Sequence, residues 1–209
     1  MDKKNAKSSS SCKKRKIDSV ANSEFNKEFD EQLKERVNKF LKKGFHLSAP
    51  KIGPLTEDEM CDAAKSLGKY KNLFKKCTSF KEYIEFLNQY GAMFNNGFGI
   101  CGPSQVASNK KKAIKDMMSS QGGFNSCCGV NGVKKRELAS YWQIAYVDQE
   151  DEYLIDVSKN GKGFIYSMSY EGKSRLFAKS FLEFLENFFE EYDRLIVNRK
   201  KEKGEEDSE

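Results

Sequence analysis

A single histidine, His46, is all the imidazole this 209-residue chain holds, so a Ser/His/Asp or Cys/His centre would have to be built around it. It lies in a predicted loop beside Phe45 and Leu47, with no acid or nucleophile placed to work with it, and a structural or surface role is expected. Long hydrophobic runs are also missing. None approaches the roughly 20 residues needed to span a bilayer, and the Lys- and Ser-rich start lacks the apolar stretch of a secretory signal. Six cysteines are present, but no two show the two-residue spacing by which one loop grips zinc through two thiolates. Cys101, Cys127 and Cys128 fall in Gly-rich loops and read as reduced, inert thiols of an intracellular protein. The stretch from Gly129 to Lys135 lacks the Gly-Lys-Ser/Thr ending of a phosphate loop. No internal repeat is visible. No catalytic set, cofactor site or metal site is therefore expected, and the chain reads as non-enzymatic.

Charge excess is confined to one end. Residues 1–16 carry seven basic residues against Asp2, which is the whole net charge of +6, and the other 193 residues hold 30 basic and 30 acidic side chains. A neutral body has no global field to concentrate polyanions, so the basic character belongs to an arm. Lys13, Lys14, Arg15 and Lys16 in that arm form a candidate nuclear-import signal, readable by a receptor if exposed and flexible. The expected location is nucleus, cytoplasm or both. Two further basic clusters, Lys110-Lys111-Lys112 with Lys115 and Lys134-Lys135-Arg136, have no interleaved aromatics of the kind that stack single-stranded bases. They read as solvated surface.

What is present is a pattern of helices followed by strands. Residues 1–22 have almost no apolar content and are expected to be a disordered basic tail. Over 23–47, Phe25, Phe29, Leu33, Val37, Phe40 and Leu41 recur as one stripe of an amphipathic helix that Gly44 ends. Thr56-Glu57-Asp58-Glu59, Ser79-Phe80-Lys81-Glu82 and Ser180-Phe181-Leu182-Glu183 each match a capping box at a helix start. Phe94 to Ile100 predicts a hairpin or irregular strand, and Lys110 to Met118 a short basic helix.

The strands predicted over Tyr141–Val147, Glu152–Val157, Gly163–Ser169 and Arg175–Ala178 are rich in aromatic and β-branched residues and joined by polar turns. Short connections make them an antiparallel meander. The last helix places Phe181, Phe184, Leu185, Phe188, Tyr192 and Leu195 on one stripe, widened by Leu182, Phe189 and Ile196. Trp142 is read as a packing residue. Asp148, Glu150, Asp151 and Glu152 are read as a solvated hairpin tip rather than a cation site. An α+β domain is thus expected over residues 48–197, with helices on one face of an antiparallel sheet, and a charged disordered tail over 198–209.

Three segments give a family resemblance. They are Thr56-Glu57-Asp58-Glu59 through Ala64-Lys65-Ser66-Leu67-Gly68, then Phe86-Leu87-Asn88-Gln89-Tyr90-Gly91 with Gly97-Phe98-Gly99-Ile100. The third is the closing order of Tyr153-Leu154-Ile155-Asp156, Gly163-Phe164-Ile165-Tyr166 and Ala178-Lys179-Ser180-Phe181-Leu182-Glu183-Phe184-Leu185. Over about residues 50–195 the chain resembles the SUKH superfamily, the Smi/Knr-type domain of fungal cell-wall-assembly regulators and bacterial toxin-immunity proteins. That resemblance implies a non-enzymatic domain whose sheet and loops bind another protein. The alternative is a nucleic-acid-associated nuclear protein that uses the basic arm.

Overall fold

Every pair of described strands adjacent in sequence is also adjacent in space. The computed structural model describes residues 11–48, 53–66, 77–103, 109–120, 141–147, 151–158, 162–169 and 174–202, with backbone alone at 11–26, 64–66, 116–120 and 200–202. Seven strands run in the order β1 (His46–Ser48), β2 (Ala92–Asn95), β3 (Phe98–Ile100), β4 (Tyr141–Val147), β5 (Asp151–Asp156), β6 (Ile165–Ser169) and β7 (Ser174–Ala178), antiparallel throughout. Five helices are described: α1 (Ser11–Lys42), α2 (Glu57–Ser66), α3 (Thr78–Tyr90), α4 (Lys110–Ser120) and α5 (Phe181–Glu202). Together they make an α+β fold with helices packed against the antiparallel sheet, as the sequence predicts.

The helix layer is held by aromatic packing. Phe181, Phe184, Leu185, Phe188 and Tyr192 of α5 are buried, and Phe184 and Phe188 stack at 5.2 Å. Tyr153 of β5 meets Phe188 edge-on at 5.2 Å, and Phe98 of β3 meets Tyr192 at 4.9 Å, the geometries that the ring quadrupole favours. Trp142 is fully buried against Phe80 of α3, 4.9 Å away. From Phe29 onward α1 belongs to this same core. Its Phe29, Leu33, Val37 and Phe40 are buried, with Phe40 5.1 Å from Phe189, whereas Leu41 is exposed. Arg36–Glu186 at 3.1 Å and Lys43–Asp193 at 2.9 Å flank the α1–α5 contact.

Of the two predicted tails, residues 1–10 and 203–209 lie outside the described residues. Helical backbone begins at Ser11 rather than after residue 22, and α5 runs to Glu202, past residue 198. Neither Gly nor Pro occurs before Gly44, and extending an existing helix costs far less than nucleating one. Arg199, Lys200 and Lys201 also suit the negative end of the α5 dipole.

Of the three capping boxes, one is complete. Thr56 N–H donates to Glu59 Oε2 at 3.0 Å and Glu59 N–H to Thr56 Oγ1 at 3.2 Å. At Ser180 the hydroxyl accepts from Glu183 N–H at 3.1 Å, but the Glu183 carboxylate reaches one residue further back, to Lys179 N–H at 2.8 Å. The Ser79 box does not form. Helix α3 starts two residues earlier than that box requires, Cys77 is its N-cap without a side-chain bond, and Glu82 is turned to another helix altogether. Ahead of α2, Asn88 of α3 holds Leu55 by both backbone groups, accepting from its N–H at 2.6 Å and donating to its carbonyl at 3.0 Å. His46 is on edge strand β1 rather than in a loop, exposed and with its ring 5.9 Å from Phe94.

Candidate interaction surface

Two neighbouring rows of residues cross all seven strands and face opposite ways. The row Leu47, Met93, Ile100, Ala145, Tyr153, Ser167 and Arg175 lies toward the helices, and its members from Met93 to Ser167 are buried. The next row, on the far face, is His46, Phe94, Gly99, Tyr146, Glu152, Met168 and Ser174. Here Phe94 is 46% exposed and Tyr146 40%, and Leu176 on the same face of β7 is 48% exposed. Three of the five large apolar side chains that are exposed among the described residues thus share one sheet face, on which Leu154 and Met168 are buried. Scattered exposed apolar residues are ordinary, but a set aligned on one face is the composition of an interaction surface.

Gly99 shapes the patch. A Cβ there would lie 2.5 Å from Cε1 and Cζ of Tyr146, so the ring rests directly on the glycine backbone. Glu152, across from Tyr146, is the one carboxylate of the row. Its Oε2 is buried with no hydrogen-bond partner among the described residues, and burial pushes the carboxyl up to about 7. The expectation of a solvated acidic tip therefore fails for Glu152, because it is already inside β5, paired with Tyr146 and Met168. Asp151 is half-buried at the start of the same strand.

The sheet edges are short or bulged. Strand β1 is three residues long. On β7, Phe177 is the extra residue of a bulge against β6, and its carbonyl accepts from Asn187 Nδ2 at 2.7 Å. Beside it, Glu191 of α5 is held by Arg175 at 3.3 Å, Arg194 at 3.0 Å and the buried Tyr153 hydroxyl at 3.1 Å. Burial, then the Glu191 charge, raises the Tyr153 pKa and keeps the phenol protonated.

Lys110, Lys111, Lys112 and Lys115 lie on α4 as expected, in a first turn that has no acidic residue. Asn109 caps that helix, accepting from Lys112 N–H at 2.9 Å. Lys13, Lys14, Arg15 and Lys16 have helical backbone near the start of α1 instead of the flexible form expected. Cys61 and Cys77 are buried, and burial pushes the Cys77 thiol up to about 11. Cys127, Cys128, Gly129 to Lys135, Arg136, Asp148 and Glu150 lie outside the described residues. Among the described residues no group of three His, Cys, Asp or Glu is placed to hold a metal ion, and no helix is long and apolar enough to cross a membrane.

Sequence reasoning did not single out Phe94, Tyr146 or Leu176. The signal was there in Trp142-Gln143-Ile144-Ala145-Tyr146-Val147, a strand apolar on both faces. Comparison with family models and with curated proteins finds no match to this chain.

Proposed function

We propose that this chain is a non-enzymatic protein-binding module of the SUKH (Smi/Knr-like) type, an interaction or immunity-like regulatory protein of the nucleus or cytoplasm. The observation that carries this reading is the exposed aromatic and apolar set on the sheet face opposite the described helices α1, α3 and α5, Phe94, Tyr146 and Leu176. Tyrosine and phenylalanine supply large contact area with few rotatable bonds, and covering each such side chain contributes about 1.5–3 kcal/mol. Because both sheet edges are blunted, a partner meets side chains rather than backbone, which favours a folded surface over an added strand.

Affinity purification of the full chain from its native cell, beside a variant carrying Phe94→Ser, Tyr146→Ser and Leu176→Ser, tests the reading. A stoichiometric protein partner retained by the wild type and lost by the folded variant supports it. Recovery of nucleic acid alone, released steeply by salt and absent after removal of residues 1–22, overturns it in favour of the nucleic-acid-associated alternative.

A further inference from the structure

We propose that Glu152 and Tyr146 together receive an arginine side chain of the partner protein, with Glu152 as its counter-ion. This rests on the reading of the far sheet face as the interaction surface and names the chemistry of what that surface takes. Glu152 of β5 is paired with Tyr146 of β4 and Met168 of β6, so its carboxylate has an aromatic ring on one side and a thioether on the other. Its Oε2 has no hydrogen-bond partner among the described residues, while the side chain as a whole is only part-buried. A carboxylate in such surroundings is costly to ionise alone, and a cation placed beside it offsets that cost.

The charges on the strands select the sign of the occupant. Arg175 is the one lysine or arginine in the seven described strands, and it lies toward the helices, where Glu191 holds it at 3.3 Å. The far face of β5 carries Glu152 and, further along, Asp156. Burial alone displaces the Glu152 carboxyl, so no charged group among the described residues already answers it. A phosphate backbone or an acidic surface laid on these strands would meet carboxylates without a compensating cation.

The aromatic neighbour favours arginine over lysine. Tyr146 is laid over Gly99 and is 40% exposed. A planar guanidinium can stack on such a ring while its edge donates to a carboxylate, which a compact, strongly hydrated ammonium does less well. Beyond Gly99 in the same row, the exposed Phe94 offers contact to an apolar residue flanking that arginine.

The test is an NMR titration of the full chain at about pH 8 and about 0.1 M salt with a helical peptide bearing one arginine flanked by leucines. At that pH the Glu152 carboxyl is ionised. The wild type is expected to bind saturably, with the amide signals of Gly99, Tyr146, Glu152 and Met168 shifting together. Citrulline in place of the arginine removes the charge and nearly keeps the shape, and it should weaken binding about tenfold, as should Glu152→Gln. Tyr146→Ser should weaken it severalfold. Absence of saturable binding, shifts confined to other parts of the chain, equal binding of the citrulline peptide, or indifference to Glu152→Gln would each overturn the proposal. In the affinity purification above, a partner kept by Glu152→Gln but lost by the triple serine variant would overturn this proposal and leave the interaction surface standing. A partner kept by the triple variant would overturn both. Glu152→Gln is nearly isosteric, so its circular dichroism should match the wild type.

Discussion

Glu82 of α3 accepts a hydrogen bond from the backbone N–H of Phe181, the first residue of α5, at 2.9 Å. A buried carboxylate thus serves a helix N-terminus 99 residues away in the chain. The position is electrostatically sound, because the first amides of α5 are unpaired within the helix and their dipoles favour negative charge. Burial raises the Glu82 pKa, and the amides of Phe181 and Leu182 pull it back only in part.

Replacing Glu82 by Ala leaves the Phe181 amide buried without its acceptor. The expected loss is about 1–3 kcal/mol, read from the urea midpoint, with Glu82→Gln retaining part of it through the amide oxygen. Equal stability of both variants with wild type would show that the bond contributes nothing.

Glu152 makes stability pH-dependent. Its carboxyl is raised from 4.5 to about 7 in the fold, so the folded state holds the proton more tightly than the unfolded chain. Its contribution is fully present below about pH 4.5 and is lost as pH rises through about 7. Since the group is only part-buried, solvent screening reduces the effect to about 1–2 kcal/mol. Glu152→Gln should flatten this part of the profile and be the more stable protein at pH 8, as thermal melts across pH 4–8 would register.

Gly99→Ala probes the floor of the aromatic patch. The added methyl meets the far end of the Tyr146 ring, which can swing away, so the stability change should stay within about 1 kcal/mol. The ring itself must move, and the Tyr146 aromatic proton shifts in an NMR spectrum should change. Partner capture should weaken with it.

Docking of α1 rests on apolar burial rather than its ion pairs. Phe40→Ala should cost about 3–5 kcal/mol, because the ring is fully enclosed against Phe45, Phe188 and Phe189. Breaking Arg36–Glu186 through Glu186→Gln should cost under about 1 kcal/mol, since the Glu186 side chain is half in water. Denaturant midpoints of the two variants would separate the contributions, and a comparable loss in both would contradict this account.

Elements whose causes lie within a few residues were legible in advance. Thr56 and Glu59 bond each other over one turn, the hairpin expected within Phe94 to Ile100 forms as β2–β3, and β4 runs over Tyr141–Val147 as its aromatic and β-branched pattern predicts. The apolar stripe of α5 needed only its own periodicity. Residues with distant partners were misread. Ser79 to Glu82 spells a capping box, yet Glu82 finds a better use at Phe181, and nothing in the four-residue spelling records that. Glu152 looks like a solvent-facing acid because its neighbours in sequence are acidic, while its neighbours in the sheet are Tyr146 and Met168.

By itself the sequence determined strands β4 to β7 and the stripe of α5, because caps and hydrophobic period act through local bonds and backbone preferences. Tertiary structure alone decided that α1 joins the core, that His46 lies on a sheet edge, and that Phe94, Tyr146 and Leu176 share the far face. Burial is a property of what packs against a residue, and for these residues the deciding partners are remote in the chain.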